Sequence, residues 1–89
     1  MIYKSKEGAI DLSKVIRLYP AVVIDMQGEV AEMSLEWFDL YGDQVKFLHF
    51  VLVFDSTKPG DEERTAVSLR FDTKADLIEE MQKVSQLFQ

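Results

Sequence analysis

Apolar and polar residues alternate along much of this chain with the two-residue period of β-strands. Residues 15–26 form a nearly continuous apolar run rich in β-branched side chains, and residues 65–72 alternate cleanly. Residues 45–54 are apolar on both faces, which indicates a central strand. Pro20 removes one backbone donor from the first run, so we expect an edge position or a bulge there.

Turn signals containing glycine divide the chain at intervals of 14 to 20 residues. The four signals are Glu7-Gly8, Gln27-Gly28, Gly42-Asp43 and Pro59-Gly60. This spacing is typical of long strands joined by hairpins. The polar residues 55–63 contain the last signal and end in three acids, so we expect a solvent-exposed loop there.

The period changes to three and four residues at the C-terminus. Apolar residues recur on one stripe from Leu77 to Phe88, which is the pattern of an amphipathic helix. Asp72 or Thr73 can cap the helix, and Asp76 follows Thr73 in the manner of a capping box. We therefore predict a C-terminal helix whose apolar stripe covers one face of the sheet.

The segment 29–41 fits two interpretations. As a strand, its apolar residues from Ala31 to Trp37 alternate with polar ones, and glycine turns flank it on both sides. As a helix, its carboxylates share one face and Gly42 provides a C-terminal cap. We favour the strand, with a bulge at Phe38. A helix at 29–41 would instead give a two-layer α/β sandwich.

These elements predict an α+β fold of mostly antiparallel strands, with five or more strands in a meander and one C-terminal amphipathic helix. At 89 residues, the chain is shorter than the usual domain of about 100–150 residues. We therefore expect residues 1–89 to form a single domain with one core.

Amino-acid composition excludes several classes of protein for this chain. Hydrophobic residues make up 47% of the chain and charged residues 29%, as in ordinary globular domains. The chain has no cysteine, which excludes disulfides, thiolate nucleophiles and cysteine-based zinc sites. The longest apolar stretch, Phe50–Phe54, is far shorter than the roughly 20 residues of a spanning helix, and the first residues do not resemble a secretory leader. We expect a cytoplasmic protein.

The net charge of −6 is unevenly distributed. Residues 20–63 hold ten carboxylates against only two lysines, which disfavours nucleic acid and anionic membranes as partners. The first 19 residues are net basic and provide a candidate anion or lipid-headgroup patch. This patch consists of Lys4, Lys6, Lys14 and Arg17.

The inventory of catalytic residues is small. His49 is the only histidine, and an enzymatic interpretation pairs it with a carboxylate such as Asp25 or Glu36. No serine lies in a nucleophile-elbow motif, and no glycine-rich phosphate loop or calcium loop is present in the sequence. We therefore expect no cofactor and no metal, and His49 in its apolar strand fits a structural role better.

Aromatic residues concentrate in two neighbouring segments, and one helix can cover only one face of the sheet. We therefore expect part of the aromatic set to be exposed or to contact a partner. The candidate interaction surface consists of Trp37, Phe38, Tyr41, Phe47 and Phe50. We predict a non-enzymatic protein-binding or scaffolding domain that contacts another protein or itself, with a dimer expected. The small enzyme and the anion-binding domain are the alternatives.

The order of elements resembles the pleckstrin-homology-like superfold, a half-barrel of antiparallel strands closed by one C-terminal helix. Three segments carry the resemblance across most of the chain: Ile10-Asp11-Leu12-Ser13-Lys14-Val15, Leu35-Glu36-Trp37-Phe38-Asp39 and Leu69-Arg70-Phe71-Asp72. The resemblance implies seven strands, of which the sequence pattern identifies five. It also implies lipid binding through basic residues near the first hairpin, or peptide binding and scaffolding, as in many domains of this fold.

Overall fold

The computed structural model describes residues 2–87. It contains six strands, two α-helices and two short 3-10 turns. The strands are β1 (Ile2–Ser5), β2 (Gly8–Asp11), β3 (Arg17–Met26), β4 (Glu29–Met33), β5 (Lys46–Asp55) and β6 (Ala66–Phe71). The helices are α1 (Leu35–Tyr41) and α2 (Lys74–Leu87), and the 3-10 turns are Leu12–Lys14 and Gly42–Gln44. The predicted class, α+β with mostly antiparallel strands and a C-terminal helix, is confirmed.

The strands form two antiparallel sheets. β1 and β2 form a hairpin that is a sheet of its own, and the other four strands form a sheet of order β4-β3-β5-β6. β5 lies in the interior of that sheet, as its two apolar faces predicted. Its long ladder with β3 has an irregularity between Val23 and Ile24, where His49 and Phe47 are the successive partners and Leu48 is left over.

Pro20 occupies an edge position, as its missing N–H predicted. It pairs with Leu52 on the β5 side of β3. On the other side, β4 ends at Met33, which pairs with Val22, so no strand within residues 2–87 lies beside Pro20 there. The missing donor therefore breaks no ladder hydrogen bond on that side.

The main core lies on one face of the four-stranded sheet. Apolar side chains from β3, β5, β6 and α2 are fully or almost fully buried there: Val22, Ile24, Leu52, Phe54, Leu69, Leu77 and Val84. The β1–β2 hairpin contributes Tyr3 and Ile10, and the ring of Tyr3 stacks on Phe54 with 5.8 Å between centroids. One cluster therefore joins the sheet, α2 and the hairpin.

α2 begins where the capping pattern predicted. The Thr73 hydroxyl accepts a hydrogen bond from the Asp76 backbone N–H at 3.1 Å. Leu77 and Val84 on the apolar stripe are completely buried, whereas Phe88 lies outside the described residues. Within residues 2–87, no helix is long and apolar enough to cross a membrane.

The segment 29–41 is neither one strand nor one helix, so our preferred interpretation is wrong. β4 ends at Met33, and Ser34 caps α1 by accepting a hydrogen bond from the Trp37 backbone N–H at 3.1 Å. Phe38 lies inside this helix and not at a bulge. The chain switches at Ser34 because its extended backbone and hydroxyl satisfy a helix N-terminus, and Leu35 and Phe38 then pack against the core.

A second, smaller apolar cluster lies on the other face of the sheet. Ala21, Val51 and Val53 are buried there, and the partly buried apolar side chains that pack against them, Tyr19 and Val23, come from β3. The Tyr19 hydroxyl donates to Glu32 Oε1 at 3.2 Å and accepts from the Arg64 guanidinium. Burial, followed by the Glu32 charge, raises the pKa of Tyr19. Among residues 2–87, Tyr19 packs against this second cluster, whereas six other aromatic residues belong to the main core or pack against it: Tyr3, Trp37, Phe38, Phe50, Phe54 and Phe71.

Candidate interaction surface

Three phenylalanines connect the core to the surface where β5 begins. The Phe38 ring lies 5.7 Å from Phe47 and 5.9 Å from Phe50, and the rings of Phe47 and Phe50 are 4.9 Å apart. Phe50 is buried in the main core, whereas Phe47 is 37% exposed. Aromatic contacts of Phe38 thus anchor α1 to the sheet. They also fix the position of the helix face that does not carry Phe38.

A cavity of about 490 Å³ lies beside that other face of α1. Trp37 and Tyr41, one helical turn apart, form one wall with their ring centroids 5.4 Å apart. The full lining is Met26, Gln27, Trp37, Tyr41, Gln44 and Val45. Gln27, which forms a two-residue turn with Gly28 in which both residues have positive φ, also lines the cavity.

Exposed apolar side chains lie on the three elements that contribute to this end of the domain. Leu40 is 71% exposed and Tyr41 45%, although both follow directly from the anchored part of α1. We call the following set the aromatic end: Met26, Trp37, Leu40, Tyr41, Phe47 and Leu48. The end of β3, the α1 helix and the start of β5 contribute these residues. Five of the ten large apolar side chains that are exposed among residues 2–87 belong to this set. Contiguous exposed apolar patches mark interaction sites.

The five aromatic residues predicted to form a surface come together, but they do not share one environment. Trp37 and Phe38 are half-buried, and Phe50 belongs to the core. Tyr41 and Phe47 are the exposed members. The sequence interpretation missed other contributors to the cavity and its surroundings, namely Met26, Gln27, Leu40, Gln44, Val45 and Leu48. Leu40 follows Trp37 by three residues and becomes recognisable once α1 is known to be helical.

Two of the four predicted basic patch residues contact other parts of the protein. The Lys6 ammonium lies 4.0 Å from the centre of the Phe71 ring and donates to the Arg70 carbonyl. Arg17 Nη2 forms an ion pair with Asp55 Oδ2 at 3.0 Å. The charged groups of Lys6 and Arg17 therefore make contacts within the folded chain.

The other two basic residues lie elsewhere. Lys4 is exposed on β1. Lys14 lines a separate cavity of about 680 Å³ together with Lys58 and Asp61. The structure does not bring the four residues into one common site.

Asp55 is a buried carboxylate at the end of β5. Its Oδ1 accepts a hydrogen bond from the Thr57 backbone N–H at 2.9 Å, and its Oδ2 accepts one from Arg17 at 3.0 Å. Hydrogen bonds from the side chain and backbone of Thr57, followed by the one from Arg17, lower the pKa of Asp55 to about 2. The charged form of Asp55 therefore stabilises the folded chain.

We expect Asp55 to contribute to acid sensitivity. Because its folded pKa lies below the ordinary value of 3.8, its stabilising effect is complete above about pH 4 and is lost as the pH falls toward 2. Denaturant titrations at pH 6 and pH 3 should show a smaller loss of stability for Asp55→Asn than for the wild type. Arg17→Gln should retain most of the wild-type loss, because Thr57 has the larger effect. Equal losses in Asp55→Asn and the wild type would contradict this assignment.

His49 does not form the acid–base pair that the enzymatic interpretation requires. It is half-buried on the second face of the sheet, opposite Val23. Its side chain makes no hydrogen bond or ion pair with residues 2–87, while the Asp25 side chain accepts a hydrogen bond from the Gly28 N–H at 2.8 Å. Among the described residues, no group of three or more histidine or carboxylate side chains is placed to hold a metal ion.

The chain matches no protein-family model, and no curated protein and no solved structure matches it significantly.

A substitution at Gly42 tests how tightly the Phe38 ring of α1 is packed. A Cβ at this position would lie 2.8 Å from Phe38 Cε1, and Phe47 and Phe50 contact the same ring. We expect Gly42→Ala to cost about 1–3 kcal/mol of unfolding free energy through overpacking, which outweighs the helical preference of alanine of up to about 1 kcal/mol. Urea denaturation measures the change. In a Phe38→Leu background the cost should shrink, and a Gly42→Ala protein as stable as the wild type would contradict this packing.

Proposed function

We propose that this chain is a non-enzymatic protein-binding domain that contacts its partner through the aromatic end. The observation that carries the proposal is the cavity lined by Trp37, Tyr41 and Gln27 of the β3–β4 turn, with Leu40 strongly exposed on the same helix as Trp37 and Tyr41. Aromatic residues and methionine are enriched at protein interfaces, and a cavity of this kind accepts an anchoring side chain of a partner.

The rigidity of the surface supports the proposal. Phe38 fixes α1 to Phe47 and Phe50, so Trp37 and Tyr41 are held in position before a partner binds. Binding to a preformed surface costs less conformational entropy than binding to a mobile one. A pleckstrin-homology-like relationship would agree with this function, because many such domains bind peptides or act as scaffolds. The absence of cysteine fits a partner in the reducing cytoplasm.

The test compares two exposed apolar positions. Leu40→Asp changes the aromatic end, and Ile16→Asp changes a residue that is 53% exposed outside it. We expect both proteins to keep the wild-type melting temperature within a few degrees. A protein that co-purifies with the wild type should be lost from Leu40→Asp and retained by Ile16→Asp. If the partner is a second copy, sedimentation should show a dimer that Leu40→Asp dissociates. Retention by both variants would contradict the proposal.

A further inference from the structure

Resting on the proposed function, we propose that the aromatic end binds a basic amphipathic segment of its partner. Apolar side chains of that segment enter the cavity, and its lysine or arginine side chains face the carboxylates around the cavity. The inference identifies the chemistry of the partner, which the apolar surface alone does not determine.

Three exposed carboxylates adjoin residues that line the cavity. Glu29 pairs across the β3–β4 ladder with Met26, Glu36 precedes Trp37, and Asp43 precedes Gln44. We call these three residues the acidic rim: Glu29, Glu36 and Asp43. None of the three forms an ion pair with residues 2–87. Their charge is therefore available to a partner.

Positive charge near the cavity is limited. Lys46 pairs across the β3–β5 ladder with Asp25, so these two opposite charges are neighbours. Lys74 Nζ forms an ion pair with Asp39 Oδ1 of α1 at 3.5 Å. The surroundings of the cavity thus keep a negative balance, which attracts cationic groups and repels anionic ones.

This charge selects among possible occupants. A second copy packed through the same surface would bring two acidic rims together, and like charges across an interface are strongly unfavourable. Anionic membrane surfaces and nucleic acids are repelled for the same reason. A purely basic segment would leave Leu40 and the cavity uncovered. Apolar and basic side chains together satisfy both features of the surface.

Trp37 is the only tryptophan of the chain and lines the cavity, so its fluorescence reports binding directly. The probe is a leucine–lysine amphipathic peptide of about 14 residues, roughly four helical turns. The control is a leucine–glutamate peptide with leucines at the same positions. We expect the lysine peptide to shift Trp37 emission saturably, and to bind about tenfold more weakly when salt is raised from 0.1 M to 1 M. The glutamate peptide should leave the emission unchanged.

Two variants with the same net charge distinguish the effect of the acidic rim on peptide affinity from the effect of net charge. The rim variant is Glu29→Gln, Glu36→Gln and Asp43→Asn, and the remote variant is Glu7→Gln, Glu62→Gln and Glu63→Gln. Each removes three exposed carboxylates. We expect the rim variant to bind the lysine peptide about tenfold more weakly, and the remote variant to change the affinity less than about twofold because of screening. If both variants bind the lysine peptide equally more weakly than the wild type, net charge alone explains the effect and the inference is overturned.

Two further outcomes separate this inference from the proposed function. If both peptides bind and the rim variant matches the wild type, the surface accepts apolar segments without regard to charge. The inference then fails while the proposed function stands. If neither peptide changes Trp37 emission and Leu40→Asp retains the natural partner, both fail.

Discussion

Leu77→Asp should unfold the domain. Leu77 is completely buried between α2 and the sheet, so the change removes about 1.5–3 kcal/mol of hydrophobic burial. An unpaired carboxylate at this site costs several kcal/mol more. A chain of 89 residues has a total stability of roughly 4–13 kcal/mol, at about 0.05–0.15 kcal/mol per residue. The two costs together equal most or all of this stability. Circular dichroism during heating should therefore show no cooperative transition.

Gln82→Asp is the control for Leu77→Asp. Gln82 is exposed on the same helix, so the introduced residue has the same charge and the same helix propensity. This variant should melt within a few degrees of the wild type. If Leu77→Asp also melts like the wild type, α2 does not cover the sheet and the described core is incorrect.

Phe50→Ala should lower the unfolding free energy by about 3–5 kcal/mol. Phe50 is 8% exposed and contacts both Phe38 and Phe47, so its removal leaves a cavity where α1 meets the sheet. Any effect of this change on partner binding therefore acts through the fold. Denaturant titrations followed by circular dichroism measure the loss.

Leu40→Ala is the matched control for Phe50→Ala. Because Leu40 is 71% exposed, this change should alter stability by no more than about 0.5 kcal/mol. The two substitutions therefore distinguish a core residue that supports the aromatic end, Phe50, from a contact residue within it, Leu40. A cost at Leu40 as large as that at Phe50 would mean that Leu40 is packed and not available to a partner.

The C-terminal helix and the central strand were predictable from sequence because each has an unambiguous period. The apolar stripe that begins at Leu77 repeats at three and four residues, and only a helix places it on one face. The segment from Val45 to Phe54 is mostly apolar on both strand faces, and β5 accordingly lies inside the sheet. Phe50 to Phe54 are buried on both faces, whereas Phe47 and Leu48 remain partly exposed. In both cases the local pattern and the tertiary environment agree.

The segment 29–41 was not predictable because its pattern serves two elements. The alternation from Ala31 to Met33 belongs to a strand, and the spacing from Leu35 to Phe38 belongs to a helix. Ser34 joins the two, but a serine in an alternating pattern is equally compatible with an outward-facing strand residue. The contact of Phe38 with β5 decides between these interpretations, and that contact is tertiary.

The candidate site was predictable in part. Clustering along the sequence identified the aromatic residues of α1 and β5, since neighbouring elements bring them together. The separation of Lys6 from Lys14 was not predictable, because it depends on how the β1–β2 hairpin packs beside β6. Likewise, the proximity of Glu29 to the cavity depends on its pairing with Met26 across the β3–β4 turn.

Site-specific photo-crosslinking tests the central claim, that the aromatic end is a protein-binding surface, most directly. A photoreactive phenylalanine derivative replaces Leu40 in one protein and Glu62, an exposed residue of the β5–β6 loop, in the other. Irradiation in cells should produce a discrete crosslinked protein from position 40 and none of the same mass from position 62. Identical products from both positions, or no product from position 40 in a folded protein, would contradict the claim.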